Sequence, residues 1–383
     1  MGEYGSHLNG QTRRTTRPRA VAACCIGLIA FLTGCASQPQ IELHQEKVST
    51  LLDGGVLFGE TIEPATMENV LEVSPAMREF LEPIKESANS DYARFRGLMR
   101  SLVEKDYFRD TYDANGTYSA AETFAVRRGN CLGYTNMFIA LARELDLPAY
   151  YQLVVNQPQW NVNGGYLVRN NHINVLMPNM RSPGYGPEDV VIDFNNIMQD
   201  MDKAVPRKVS DEYASALFHA NIGVELMYQG QEREAFAHFK RGALLAPENS
   251  VVWNNLGVLY SRSGQPQFAQ HAYEQALAIN RNDRSAWVGM AVVLRAQGRH
   301  QEADVYDQRV TRYLTRNPFY HYALAVEALE SQDFNMALEL IESAIDLRRR
   351  DPRFFELQAT AAAELGDMEL SERSRRMAER YAQ

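Results

Sequence analysis

The chain has 383 residues and a net charge of −9. Such an acidic body repels phosphate backbones and anionic headgroups, which argues against nucleic acid as a partner. The length allows two domains, and the residue pattern changes near position 210.

The first 34 residues read as a signal peptide. Arg13, Arg14, Arg17 and Arg19 precede a short apolar run, Ala20 to Leu32, and small residues follow. The run is shorter than the ~20 residues that cross a bilayer. It ends in Leu32-Thr33-Gly34-Cys35, which resembles the lipobox of bacterial lipoproteins. That resemblance implies lipidation at Cys35. The following Ala36-Ser37 lacks an inner-membrane retention aspartate, so the expected location is the outer membrane, facing the periplasm. Residues 35–60 are then expected to be a tether. Without residues 1–34, which carry +3, the net charge is about −12.

Residues 61–208 are expected to form a separate α+β domain. Met77 to Ile84 and Tyr92 to Tyr107 have helical apolar spacing. Ser119 and Glu122 make a capping-box pattern that opens a short helix ending near Val126. Asp113, Asn115, Gly116 and Glu122 fall at positions of a calcium loop, but Thr111 cannot supply its first carboxylate. The turn and cap account for these residues, and no metal or other cofactor is expected.

The string Arg127-Arg128-Gly129-Asn130-Cys131 delivers the chain into a helix that runs to about Leu145, before Leu147-Pro148. Helix starts favour negative charge, so a cysteine there suits nucleophilic chemistry. Arg127 and Arg128 would reinforce this if they faced the thiol. Of the four cysteines, Cys24 and Cys25 fall in the signal segment and Cys35 at its end, so Cys131 is the thiol left to the mature chain. Three β-like segments follow: Tyr150 to Val155, His172 to Met177, and Val190 to Phe194. Asn156 to Gly165 reads as a loop carrying Trp160. His172 is the one histidine between Cys131 and position 210, which makes it the local candidate for a base. Asp193 is the candidate carboxylate, with Asp189 and Asp200 as alternatives.

The order cysteine, histidine, aspartate is that of a papain-like nucleophile site. Ala121 to Asn195 resembles the transglutaminase-like core: Gly129 and Cys131 open a helix continued by Phe138-Ile139-Ala140-Leu141-Ala142, His172 begins a strand, and Val191-Ile192-Asp193 ends another. The resemblance implies Cys131 as nucleophile, His172 as general acid and base, and Asp193 as the orienting carboxylate. It also implies amide acyl transfer on a peptide or protein, by hydrolysis or transamidation. Asn174 and Phe194 depart from the residues common beside the family's histidine and aspartate.

From Ala216 the sequence repeats every 34 residues, with units beginning at Ala216, Ser250, Arg284, Pro318 and Pro352. Positions 8 and 20 are small throughout, for example Gly257 and Ala269, and position 24 is Phe239, then Tyr273. Asp307 and Val310 break the pattern in the third unit. The period and knobs resemble the tetratricopeptide repeat, which implies an all-α superhelix over residues 211–383. Its groove is the expected site for a peptide or protein partner. A catalytically inactive repeat scaffold of the cell envelope is the alternative reading.

Overall fold

The structure is a computed structural model that describes residues 45–67, 69–108, 113, 116–155, 160–163, 166–169, 172–181, 186–194 and 205–382. Cys35 and the expected signal and lipidation segment lie outside the described residues.

Two short helices come first, α1 (Gln45–Leu51) and α2 (Gly55–Phe58). Residues 45–60, expected to be tether, are packed against the repeats. Leu51 is 2% exposed and its carbonyl accepts a hydrogen bond from Tyr260 Oη at 2.8 Å. Lys240 Nζ donates to Ile62 O and Arg241 Nε to Ala65 O, each at 2.7 Å. Apolar side chains at 48, 51, 52, 57 and 58 drive this docking, since leaving them in water forgoes their transfer energy.

Helices α3 (Pro75–Ser87), α4 (Asp91–Glu104) and α5 (Ala120–Val126) follow. Ser74, Ser90 and Ser119 cap them, and Ser119 with Glu122 completes the expected capping box. Helix α6 (Cys131–Glu144) is apolar nearly all round and runs through the middle of the core.

The sheet has the order β5-β4-β1-β6, formed by β1 (Tyr150–Val155), β4 (His172–Arg181), β5 (Pro187–Ile192) and β6 (Val205–Val209). Every pairing is antiparallel. Between β1 and β4, where a loop was expected, β2 (Trp160–Asn163) and β3 (Tyr166–Arg169) pair as a hairpin. Strand β6, which the sequence reading missed, ends one residue before Ser210, the N-cap of the first repeat helix.

The remaining ten helices form five hairpins: α7 (Asp211–Tyr228) with α8 (Glu232–Leu245), α9 (Ser250–Arg262) with α10 (Pro266–Ile279), α11 (Arg284–Ala296) with α12 (His300–Leu314), α13 (Pro318–Glu330) with α14 (Phe334–Leu347), and α15 (Pro352–Glu364) with α16 (Met368–Tyr381). From Ser250 on, the first helix of each hairpin starts where the 34-residue frame puts it. The chain turns between paired helices at left-handed Gly230, Gly264, Gly298 and Gly366, and at Gln332 in the fourth unit.

The small positions work as close contacts. A Cβ at Gly257 would lie 2.6 Å from the Tyr273 ring, and one at Gly289 of the next unit 2.3 Å from the same ring. The position-24 aromatic is thus a wedge between its own first helix and the next one. One continuous apolar core runs from Leu51 through the sheet domain into the repeats as far as Ala303. A second, separate cluster spans Ala325 to Leu357.

Candidate active site

Cys131 is the first residue of α6. Asn130 before it has extended backbone (φ −84°, ψ 180°) and its Oδ1 accepts from Gly133 N at 3.0 Å. The segment leading to the cysteine is pinned on both sides. Asn130 N donates to Gly116 O and Asp113 N to Gly129 O, both at 3.0 Å. Asn130 Nδ2 donates to Thr117 Oγ1 at 2.9 Å. Thr117 in turn hydrogen-bonds the carboxylate of Glu225 on α7 through both its hydroxyl and its backbone N–H. Burial raises the pKa of that carboxyl, and the bonds from Thr117 oppose the shift. The approach to the cysteine is therefore braced by the first repeat helix.

Cys131 is half-buried, with one side against the main core, and it forms no disulfide. The two arginines before it have partners of their own. Arg127 sits over the Tyr107 ring, 4.8 Å from its centroid, and donates to Lys105 O at 3.2 Å. Arg128 pairs with Asp113 at 3.4 Å. Both stabilise the turn through these contacts. Asp113 and Glu122 are likewise occupied, by Arg128 and by the Ser119 cap, and no group of metal-ligand side chains occurs among the described residues.

One turn along from Cys131, Thr135 Oγ1 donates to Ile173 O at 3.4 Å. Ile173 follows His172, the first residue of β4, which pairs with Val154 of β1. The side chains of His172 and Trp160 lie outside what the structure describes. Asn174 is fully buried and its Nδ2 donates to Asp193 Oδ2 at 3.4 Å. Asp193 lies just beyond the end of β5, not within a strand as the sequence suggested. The next residue, Phe194, packs on Tyr134 and Phe138 of α6 at ring distances of 5.8 and 5.9 Å. Residues 131, 134, 135 and 138 share one face of α6 by their spacing. That face meets both the start of β4 and the end of β5.

The alternative carboxylate Asp189 instead accepts from Asn179 N at 3.0 Å, at the irregular far end of the β4–β5 pair. Asp200 lies outside the described residues. Thr135, Asn174 and Phe194 escaped the sequence reading as parts of the site. Asn174 and Phe194 appeared there as departures from a pattern, and only the packing gives them partners.

A profile of the transglutaminase-like superfamily matches residues 78–179, and tetratricopeptide-repeat profiles match residues 250–283 and 322–374. Tetratricopeptide repeat protein 37 of Xenopus laevis is 22% identical over 123 residues, which are 32% of this chain and 8% of that protein. Protein O-mannosyl-transferase TMTC1 of Homo sapiens is 24% identical over 155 residues, 40% of this chain and 18% of that protein. The chain thus spans less than a fifth of the length of either curated relative. Among solved structures, MamA 41-end from Desulfovibrio magneticus RS-1 is similar at 16% identity and a TM-score of 0.26, covering 45% of this chain and 96% of that one. YrrB, described as a TPR protein with an unusual peptide-binding site, is similar at 14% identity and a TM-score of 0.25, covering 43% and 86%.

Proposed function

We propose that this chain, a transglutaminase-like core domain followed by tetratricopeptide repeats, is a cysteine-dependent acyl-transfer enzyme acting on a peptide or protein that its repeats recruit. The Cys131 thiol passes its proton to the imidazole of His172 and its sulfur attacks an amide carbonyl; the amine then leaves with that proton, and a thioester remains. Water then releases an acid, or an amine releases a new amide. Asp193 orients the imidazole. Hydrolysis stands slightly ahead, because water needs no second binding site.

The observation that carries this reading is the Thr135–Ile173 hydrogen bond, which ties the first turn of the cysteine's helix to the start of the histidine's strand. The Asn174–Asp193 contact supports it from the other side, since the period of a strand puts position 172 on the face of Asn174. The β2–β3 hairpin, which leads into His172, also rests against α13 of the fourth repeat. The same proposal has Cys35 lipidated and the protein held on the periplasmic face of the outer membrane.

Alkylation tests the chemistry. Iodoacetamide near neutral pH should modify Cys131 fast and selectively, and His172→Ala should remove that speed. Reaction at the ordinary rate of an unactivated thiol, unaltered in the His172 variant, would favour the inactive scaffold.

A further inference from the structure

The repeat array is interrupted between its third and fourth units. Helix α10 packs on α11 and α14 on α15, but among the described residues α12 has no comparable packing on α13. The main core stops at Ala303, and the next cluster begins at Ala325. The cause is local. Tyr273 wedges the second unit against the third, whereas Asp307 stands at the equivalent position of the third unit and pairs with Arg295. Without a ring there, α12 buries Ala303 alone, and the apolar helix α13 buries Ala325 alone.

A cleft of about 540 Å³ opens at this break, within the size range of ligand pockets. Arg309, Arg312 and Arg316 line it from the third unit and Arg348 from the fourth, together with the aromatic side chains of Trp287 and Phe319. No carboxylate lines it. Among the described residues, none of Arg309, Arg312 and Arg316 has an acidic side chain within ion-pair distance. Arg348 is paired with Asp351 at 3.8 Å, so the three guanidinium groups of the third unit are the ones left to a ligand, in a chain whose net charge is −9. The indole of Trp287 adds a further donor. Its counterpart one repeat earlier, Trp253, donates to Pro247 O at 2.8 Å, but the buried Nε1 of Trp287 has no partner. Asn317 Nδ2 is also buried and unpartnered in the cleft wall, though the equivalent Asn249 is too, so Trp287 is the distinguishing group.

We propose that this cleft docks an acidic peptide segment bearing an aromatic side chain. Carboxylates answer the guanidinium groups, which bind them through paired N–H donors. An aromatic residue of the ligand packs against the aromatic lining of Trp287 and Phe319, and a ligand oxygen accepts from the indole. A peptide matches better than an anionic bilayer, because the charges line a recess that a chain segment can enter and a flat headgroup surface cannot. The inference names the partner class for the recruitment half of the reading above and does not involve the chemistry of Cys131.

The test uses the full chain and a short fluorescein-labelled peptide of glutamates interrupted by two phenylalanines, followed by anisotropy at low salt. Saturable binding is expected, weakening as salt is added. A peptide with glutamine in place of glutamate should bind at least about tenfold less tightly, and so should the labelled peptide to the R312E/R316E variant, a change of about 1.4 kcal/mol. Trp287→Phe, which keeps the ring and removes the donor, should weaken binding several-fold. Iodoacetamide modification of Cys131 in R312E/R316E should match that of the parent, so loss of docking is distinguishable from loss of the catalytic site. Equal binding of the glutamine peptide, no binding at all, or unchanged affinity of R312E/R316E would overturn the proposal. Tighter binding of phosphatidylglycerol vesicles or of a single-stranded oligonucleotide than of the peptide would overturn it as well, by making phosphate the ligand.

Discussion

Arg143, in the last turn of the helix that begins with Cys131, grips Asp211, in the first turn of the first repeat helix, through two hydrogen bonds of 2.6 and 2.9 Å. Its Nε also donates to Ala149 O at 3.0 Å. With the Glu225–Thr117 contact at the other end of α6, the repeats hold that helix from both sides. The two halves of the chain also share one apolar core.

Cutting the chain at residue 210 should therefore not leave a stable catalytic half. The isolated N-terminal piece is expected to lose cooperative unfolding. Arg143→Ala in the full chain should cost only about 1 kcal/mol, because the pair is a third to a half exposed. Urea titrations of both would check this, and a sharp transition in the truncated piece would show that the halves are energetically separate.

Thr135→Val keeps the side-chain volume and removes the hydroxyl that reaches Ile173 O. The stability loss should be about 1 kcal/mol. If that bond holds the cysteine's helix to the histidine's strand, alkylation of Cys131 should slow several-fold. An unaltered alkylation rate would mean that packing alone aligns the two elements.

Gly257→Ala would drive a methyl group to 2.6 Å from the Tyr273 ring. The ring has little room to retreat, because Gly289 of the next unit lies so near it that a Cβ there would be 2.3 Å away. Overpacking of this kind typically costs about 1–3 kcal/mol. Gly264→Ala meets no neighbour but sits at φ 71°, so its cost is backbone strain of about 1 kcal/mol. Thermal melts of the two variants should rank in that order.

His219 is fully buried, with its Nδ1 3.1 Å from Nδ1 of His238. Burial, then the neighbouring His238 and Arg241, lower the pKa of His219 from 6.5 to about 4, and burial lowers that of His238 too. The native state thus keeps His219 neutral where the unfolded chain would protonate it. Its contribution is complete above pH 6.5 and is lost as pH falls toward 4, a loss of up to about 3 kcal/mol. Urea midpoints measured from pH 7 down to pH 4.5 should fall, and His219→Phe should flatten that slope.

The start of the cysteine's helix was legible in the sequence. A glycine turn ahead of an apolar helix marks a helix start, and the start falls at Cys131. The first strand was readable from its β-branched and aromatic run. Asp193 was placed in a strand because its neighbours alternate, but the ladder ends at Ile192 and Phe194 turns away to pack on α6. Strand β6 went unseen because Val205-Pro206-Arg207-Lys208-Val209 has little apolar alternation and pairs only at the sheet edge, where proline is tolerated.

By itself the sequence determined the local and periodic features of this protein: the helix starts, the 34-residue repeat, the close contacts at its small positions, and the odd third unit. These depend on neighbours a few residues away, and such neighbours are written in order along the chain. Only the tertiary structure decided how the pieces lean on one another. It docks residues 45–65 on the repeats, braces the cysteine's approach with Glu225, engages Arg127 with Tyr107 and Arg128 with Asp113, and opens a basic cleft where Asp307 replaces a ring. Those outcomes are set by contacts between residues far apart in sequence, whose energies no local pattern encodes.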